Sequence, residues 1–349
     1  MSQPKFYDLI DKLQKISPDQ FVRTFGDIDR DIVAMQTSSN AQGLRNLLRA
    51  RIEANDPLPD GTARLHRLGF GALAAAPELL RGEVAAVDGA TVLPLQQYAI
   101  GQAVCVAVGS VSHKRQLLSD LAYWSTRLEL DQVSNETDFF RTQHEFLYSG
   151  ISQTAVMRFL EARHALGLSE PYIFCDGPIV YEWLLSYGVA VDLYTELFAQ
   201  KQLIGVIKNL RATKRLAAYG SVLKAGELYI AQSLFEHFEE EHSGAQAGHI
   251  DREFLDKVAP HIYRGVFKPA KQAYGFEVHR KDFSTMIRAL AADCALDHIG
   301  HEIPYLLDLV DKELRASCPI ELVKNQIAAS LHQEREELFF ENVDEFEFR

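Results

Sequence analysis

The sequence predicts an α/β fold, with helices packed on a mixed sheet behind a helical N-terminal arm. Short apolar runs of strand character alternate with long helix-periodic stretches, the arrangement that builds layered α/β domains. Two of those runs stop at an Asp-Gly step, a common punctuation after a strand. The 349 residues are 47% hydrophobic and 24% charged, an ordinary globular balance that excludes disordered and collagen-like classes. At roughly 150 residues per domain, that length suggests about two domains, with one elaborated domain equally allowed.

The arm comes first. Phe6, Leu9, Ile10, Leu13 and Ile16 recur at helical spacing, and Ser17-Pro18-Asp19 ends that helix. A second run through Leu44, Leu47, Leu48 and Ile52 stops at Asn55-Asp56-Pro57-Leu58-Pro59-Asp60-Gly61, a dense turn cluster. Residues 1–80 therefore read as a helical arm or cap.

Residues 81–335 then read as the sheet-bearing domain. Glu83 to Val87 predicts a short buried strand ending at Asp88-Gly89, and Ile100 to Val111 a second strand beside it. Phe139 to Leu168 is helix-periodic, and Tyr172 to Cys175 is a strand ending at Asp176-Gly177. Pro178 suits the first turn of a helix carrying Trp183, Leu184 and Leu185. Leu203 to Ile207 makes a strand ending at Lys208, and Gly275 to His279 another. Phe283 to Ile299, Ile303 to Leu314 and Ile320 to Leu338 predict closing helices, and residues 336–349 an acidic tail holding Phe339, Phe340, Phe346 and Phe348.

Composition narrows the function. With 48 acidic against 36 basic residues the net charge is -12, which argues against holding nucleic acid mainly by nonspecific charge. No stretch reaches the ~18 apolar residues of a membrane span, and the first residues lack a signal peptide's apolar run, so a cytoplasmic protein is expected. Cys105, Cys175, Cys294 and Cys318 are scattered, which suits small core residues in a reducing compartment rather than a zinc site. Gly69-Phe70-Gly71-Ala72 lacks the preceding strand of a dinucleotide loop, and His298-Ile299-Gly300-His301 lacks an upstream nucleotide-binding half. His237, His242 and His249 fit no tight ligand spacing.

The strand-terminal carboxylates remain. Asp60-Gly61 sits in a polar loop and is a turn, whereas Asp88 and Asp176 each follow an apolar strand. Carboxylates held by rigid strands suit a hard divalent cation, and a following Gly lets another group approach. Glu161, on the helix before the second Asp-Gly strand, is the best third ligand. Such a set could hold Mn²⁺ or Mg²⁺, two ions roughly 4 Å apart. Lys208 could neutralise a phosphate or orient an attacking water.

Four segments, in order, resemble the NurA-type nucleases: Val84-Ala85-Ala86-Val87-Asp88-Gly89-Ala90; Arg158-Phe159-Leu160-Glu161 before Ile173-Phe174-Cys175-Asp176-Gly177-Pro178; Ile204-Gly205-Val206-Ile207-Lys208; and Gly300-His301-Glu302-Ile303-Pro304-Tyr305-Leu306-Leu307. The resemblance implies an RNase H-like core, a mixed central sheet flanked by helices, and 5′-to-3′ DNA cleavage dependent on manganese. It also implies a homodimer working with a HerA-type hexameric ATPase. Carried over by position, Asp88, Glu161 and Asp176 are the metal ligands and Lys208 the basic residue. The family's C-terminal Tyr and His correspond here to Ile303 and Asp311. Asp311 offers an oxygen ligand instead, with His301 and Tyr305 as other groups for that corner. A noncatalytic subunit that docks on and regulates such an ATPase is the alternative. A sugar-kinase-like phosphotransferase would need Gly-rich phosphate loops, which are not found.

Overall fold

A computed structural model describes residues 30, 32–68, 76–98, 101–125, 135, 137, 153–210, 213–241, 251–296 and 303–318. The chain forms two compact units, Met1–Ala54 and Asn55–Arg349. In the first unit the expected second helical run is α1, Ser39–Ala54. Ser38 starts it, its Oγ accepting from Ala41 N at 3.2 Å, and an Arg49–Glu53 pair at 2.8 Å braces its last turns. The chain leaves the helix at Asn55 with φ of 49°, the left-handed exit that Asn tolerates. The N-terminal helix expected over Phe6 to Ile16 lies outside the described residues.

The second unit is built on one nine-stranded sheet, in the order β1-β7-β8-β9-β6-β5-β2-β3-β4. Its strands are β1 Leu65–Arg67, β2 Val84–Tyr98, β3 Gly101–Ser112, β4 Arg115–Ser125, β5 Tyr172–Asp176, β6 Gln202–Ile207, β7 Glu227–Ser233, β8 Ile262–Lys268 and β9 Tyr274–His279. β2, β5 and β6 run parallel; β4-β3-β2 and β6-β9-β8-β7-β1 are antiparallel. Three antiparallel strands followed by two parallel ones, with the first strand central, is an RNase H-like core, extended on one side by four strands.

Alternation along the parallel strands sends side chains to two clusters. Val84, Ala86, Phe174, Ile204 and Val206 join the cluster that includes α2 (Pro77–Leu80), α8 (Phe283–Cys294) and α9 (Tyr305–Ser317). Ala85, Val87, Ile173 and Leu203 join the other, under α3 (Gln153–Gly167), α4 (Gly188–Gln200), α6 (Leu234–Glu241) and α7 (Arg252–Lys257). α5, Lys214–Val222, lies against β7 and β8. Helices therefore cover both faces of a mixed sheet, as the alternating pattern predicts. No described helix is long and apolar enough to cross a membrane. The four cysteines are free thiols, Cys294 buried and the others half-buried.

Two expectations need correction. The strand through Val87 does not stop at Asp88; β2 continues to Tyr98 because β3 pairs with it, and only the parallel pairing with β5 ends there. Pro178 does not open an α-helix; Trp183, Leu184 and Leu185 sit in a single 3₁₀ turn, Glu182–Ser186. β1, β4, β7 and β8 carry no expectation from the sequence. The helices ending the chain appear as α8 and α9, while residues 319–349, with the Ile320 to Leu338 helix and the tail, lie outside the described residues.

One buried carboxylate holds α9 against α8. Pro304 at the N-cap offers no side-chain acceptor, and Asp293, wholly buried on α8, accepts from Leu306 N at 3.0 Å, with His113 Nε2 3.3 Å from its other oxygen. A carboxylate at a helix N-terminus satisfies orphan N–H groups and the positive end of the dipole. Asp293→Ala should cost about 2 kcal/mol in chemical denaturation, since it leaves those buried donors unpaired.

Candidate active site

Parallel pairing of β2 with β5 places the acidic residues side by side. Val87 faces Cys175 in register, so Asp88 and Asp176 stand one step further on neighbouring strands, roughly 4.8 Å apart in the backbone. Two residues beyond Ala86 and Phe174, both point toward the face covered by α8 and α9. Lys208, two past Val206, reaches the same side, and its Nζ lies 3.1 Å from Asp176 Oδ2.

Glu161 comes from the opposite face, on α3, and reaches the cluster through Gly89. A Cβ on Gly89 would lie 2.5 Å from Glu161 Oε1 and 2.5 Å from Met157 Cγ, so the missing side chain is what admits the carboxylate. Glu161 Oε2 is paired with Arg158 at 2.6 Å. Oε1 is buried and makes no well-formed hydrogen bond: the nearby Gly89 N–H lowers the Glu161 pKa but is donated to Asp88 Oδ1 at 2.8 Å.

Arg158 was not singled out by sequence reasoning. Its guanidinium also donates to the Asp176 carbonyl and lies against Gly177, whose Cβ would fall 2.6 Å from Nη2. Gly177 adopts φ of 89°, which a residue with a side chain rarely takes. The turn after Asp176 is thus shaped around Arg158. Its signal was present in the Arg158-Phe159-Leu160-Glu161 quartet, but an i,i+3 pair on a helix reads as a solvent-facing ion pair.

Burial and repulsion govern the electrostatics. Asp88 is 4% exposed, and burial first, then the carboxylates of Asp176 and Glu161, push its pKa well above the ordinary value despite Lys208. Glu161 is raised to about 7, by burial, with Arg158 opposing. Asp311 on α9 adds to the repulsion on Asp88, although its Oδ1 is paired with Arg315 Nε at 2.7 Å. Tyr305 stacks on His113, with ring centroids 5.9 Å apart, and His301 lies outside the described residues.

The donor chemistry fits a hard divalent cation. Every nearby acidic oxygen is a carboxylate oxygen, one buried oxygen is orphaned, and like charges are held together at the cost of raised pKa values. No ready-made cage is present, however: among the described residues no three acidic, His or Cys groups close around one point. Arg158 and Lys208 hold Glu161 and Asp176 instead.

Glu161 should make the metal-free protein pH-sensitive. Its folded pKa, about 7, lies above the unfolded 4.5, so folding favours the protonated form. The contribution is complete below pH 4.5 and is lost as pH rises toward about 7. In chelator, wild type should lose roughly 2 kcal/mol more than Glu161→Gln between about pH 5 and about pH 8 in urea denaturation. Parallel pH profiles for the two proteins would contradict this.

The sequence matches no protein-family profile and no curated protein. Among solved structures, the chain is similar to the NurA nuclease from Sulfolobus solfataricus, at 10% identity and TM-score 0.46 over 91% of this chain and 98% of that one. It is similar to a NurA structure with manganese, at 9% identity and TM-score 0.46 over 91% and 99% of the chains. It is also similar to human ENDOV, at 14% identity and TM-score 0.32 over 80% and 99%.

Proposed function

We propose that the chain is a divalent-cation-dependent deoxyribonuclease that hydrolyses phosphodiester bonds during DNA end processing or defence. The observation that carries this reading is the buried Asp88, flanked by Asp176 and Glu161 where the parallel pairing of β2 with β5 ends in an RNase H-like sheet. The four motif segments resembling NurA-type nucleases supply the finer expectations: 5′-to-3′ action, two ions, manganese or magnesium, a homodimer and a HerA-type ATPase partner.

Asp88 and Asp176 are the principal ligands, Glu161 is the third, and Asp311 adds its negative charge to the field on Asp88. A cation bound there supplies Lewis-acid polarisation of the phosphate and a nucleophilic water at neutral pH. Lys208, 3.1 Å from Asp176, stands where its ammonium can neutralise a phosphate oxygen. Arg158 fixes the depth of Glu161 and the path of the chain after Asp176. The net charge of -12 opposes tight DNA binding by the chain alone, which is why a translocase that delivers DNA should raise activity.

Incubation of end-labelled linear DNA with Mn²⁺ should give cleavage that chelator abolishes and that Asp88→Ala reduces at least about a hundredfold, with the fold intact by circular dichroism. Undiminished cleavage by Asp88→Ala refutes the assignment.

A second reading is favoured by the ion pairs themselves. Glu161, Asp176 and Asp311 are each held by a cationic side chain, as in a protein whose acidic cluster is structural and which regulates an ATPase ring. A Mn²⁺ titration separates the two: saturable binding that Asp88→Ala removes supports the enzyme, and its absence in wild type supports the regulatory subunit.

A further inference from the structure

A polar pocket lies on the antiparallel extension of the sheet. A pocket of about 370 Å³ opens between the start of α5 and helix α6, floored by Gln232 of β7 and Arg264 of β8. These two are direct cross-strand partners and are only 4% and 6% exposed. Gln232 Oε1 and Arg264 Nε are both buried without a hydrogen bond. The partner beside that guanidinium is Glu277 on β9, 3.4 Å away, too far to accept a good hydrogen bond from Nε. A buried donor and a buried acceptor left unpaired each cost about 1–3 kcal/mol, so their coincidence in one cavity asks for an occupant.

The walls say what kind of occupant. Lys214 is exposed at the mouth and opens α5, a nine-residue helix. Thr213 at its N-cap turns its hydroxyl back to Leu210 O at 3.2 Å and does not cap the first-turn N–H groups. Those N–H groups and the dipole behind them favour an anion. Arg215, His237 and Glu240 also line the pocket, and Arg215 is paired with exposed Glu240, so the carboxylate offsets that guanidinium's charge. Rotating the Gln232 amide by a half turn presents its NH₂ in place of the orphan oxygen. The pocket then offers a guanidinium, an amide, an ammonium and helix N–H groups, the donor set of a phosphate oxyanion.

We propose that this pocket binds the phosphate group of a phosphate ester. The site stands apart from the acidic cluster and does not depend on that cluster being catalytic. Two sources share this chemistry, the backbone of a nucleic-acid strand and a small phosphorylated metabolite.

Calorimetric titration of the full chain with inorganic phosphate, in chelator and at constant ionic strength, tests the proposal. Wild type and Asp88→Ala should bind phosphate saturably and alike, while Lys214→Glu and Arg264→Gln should weaken it at least about tenfold. Lys214 is exposed, so its variant keeps the test valid if Arg264→Gln fails to fold. Lys257→Glu, the same charge change at an exposed lysine of α7, should bind as wild type does. Repeating the titration with AMP and with a short single-stranded oligonucleotide assigns the source. Oligonucleotide binding weakened by Lys214→Glu but not by Lys257→Glu marks the nucleic-acid backbone; weakening of AMP alone marks a small ester. No saturable phosphate binding by wild type, or equal binding by Lys214→Glu, overturns the proposal.

Discussion

The structure depends on keeping like charges together out of water. Asp88 is nearly buried, Asp176 is its neighbour on the next strand, and Glu161 arrives through the gap at Gly89. Burial and mutual repulsion make Asp88 and Glu161 resist ionisation. Arg158, paired with Glu161, and Lys208, paired with Asp176, offset that only in part. The geometry of the rim follows from this balance. The Asp176 turn is wrapped around Arg158 through the positive φ of Gly177, and β2 runs on past Asp88 so that the aspartate sits inside a strand rather than on a mobile loop.

The parts of this arrangement that were legible in the sequence are those written in local pattern. β5 and β6 are short apolar runs with a polar stop, and their bounds come within a residue or so of the expectation. The Asp-Gly steps drew attention to Asp88 and Asp176 because an apolar strand leading into a carboxylate is conspicuous. The extent of β2 was not legible, since its second half depends on pairing with β3 and not on its own composition. β7 and β8 escaped for a different reason: each carries buried polar residues, Glu227 and Gln232 in one and Arg264 in the other, which break the apolar signal that marks a central strand. β4 lies at the sheet edge with Leu118 and Leu121 exposed, so no face reads as buried.

Arg158 shows where local reading stops. Its importance comes from touching the Asp176 carbonyl and the Gly177 backbone eighteen residues or so along the chain, contacts that helical spacing does not encode. The same holds for Asp293, which works on a helix other than its own. In both cases a charged side chain on an ordinary helix is committed to the backbone of another element.

The polar rung across β7, β8 and β9 joins the two halves of the sheet. Gln232 pairs with Arg264, Arg264 with Glu277, and Glu277 faces Gly205 on β6 while accepting the Ile179 amide at 3.0 Å. The backbone just past the acidic rim is therefore anchored by a side chain belonging to the outer strands. Peeling away β7 and β8 would strip Glu277 of its counter-charge and release that segment, so the extension and the core cannot melt as separate cooperative blocks.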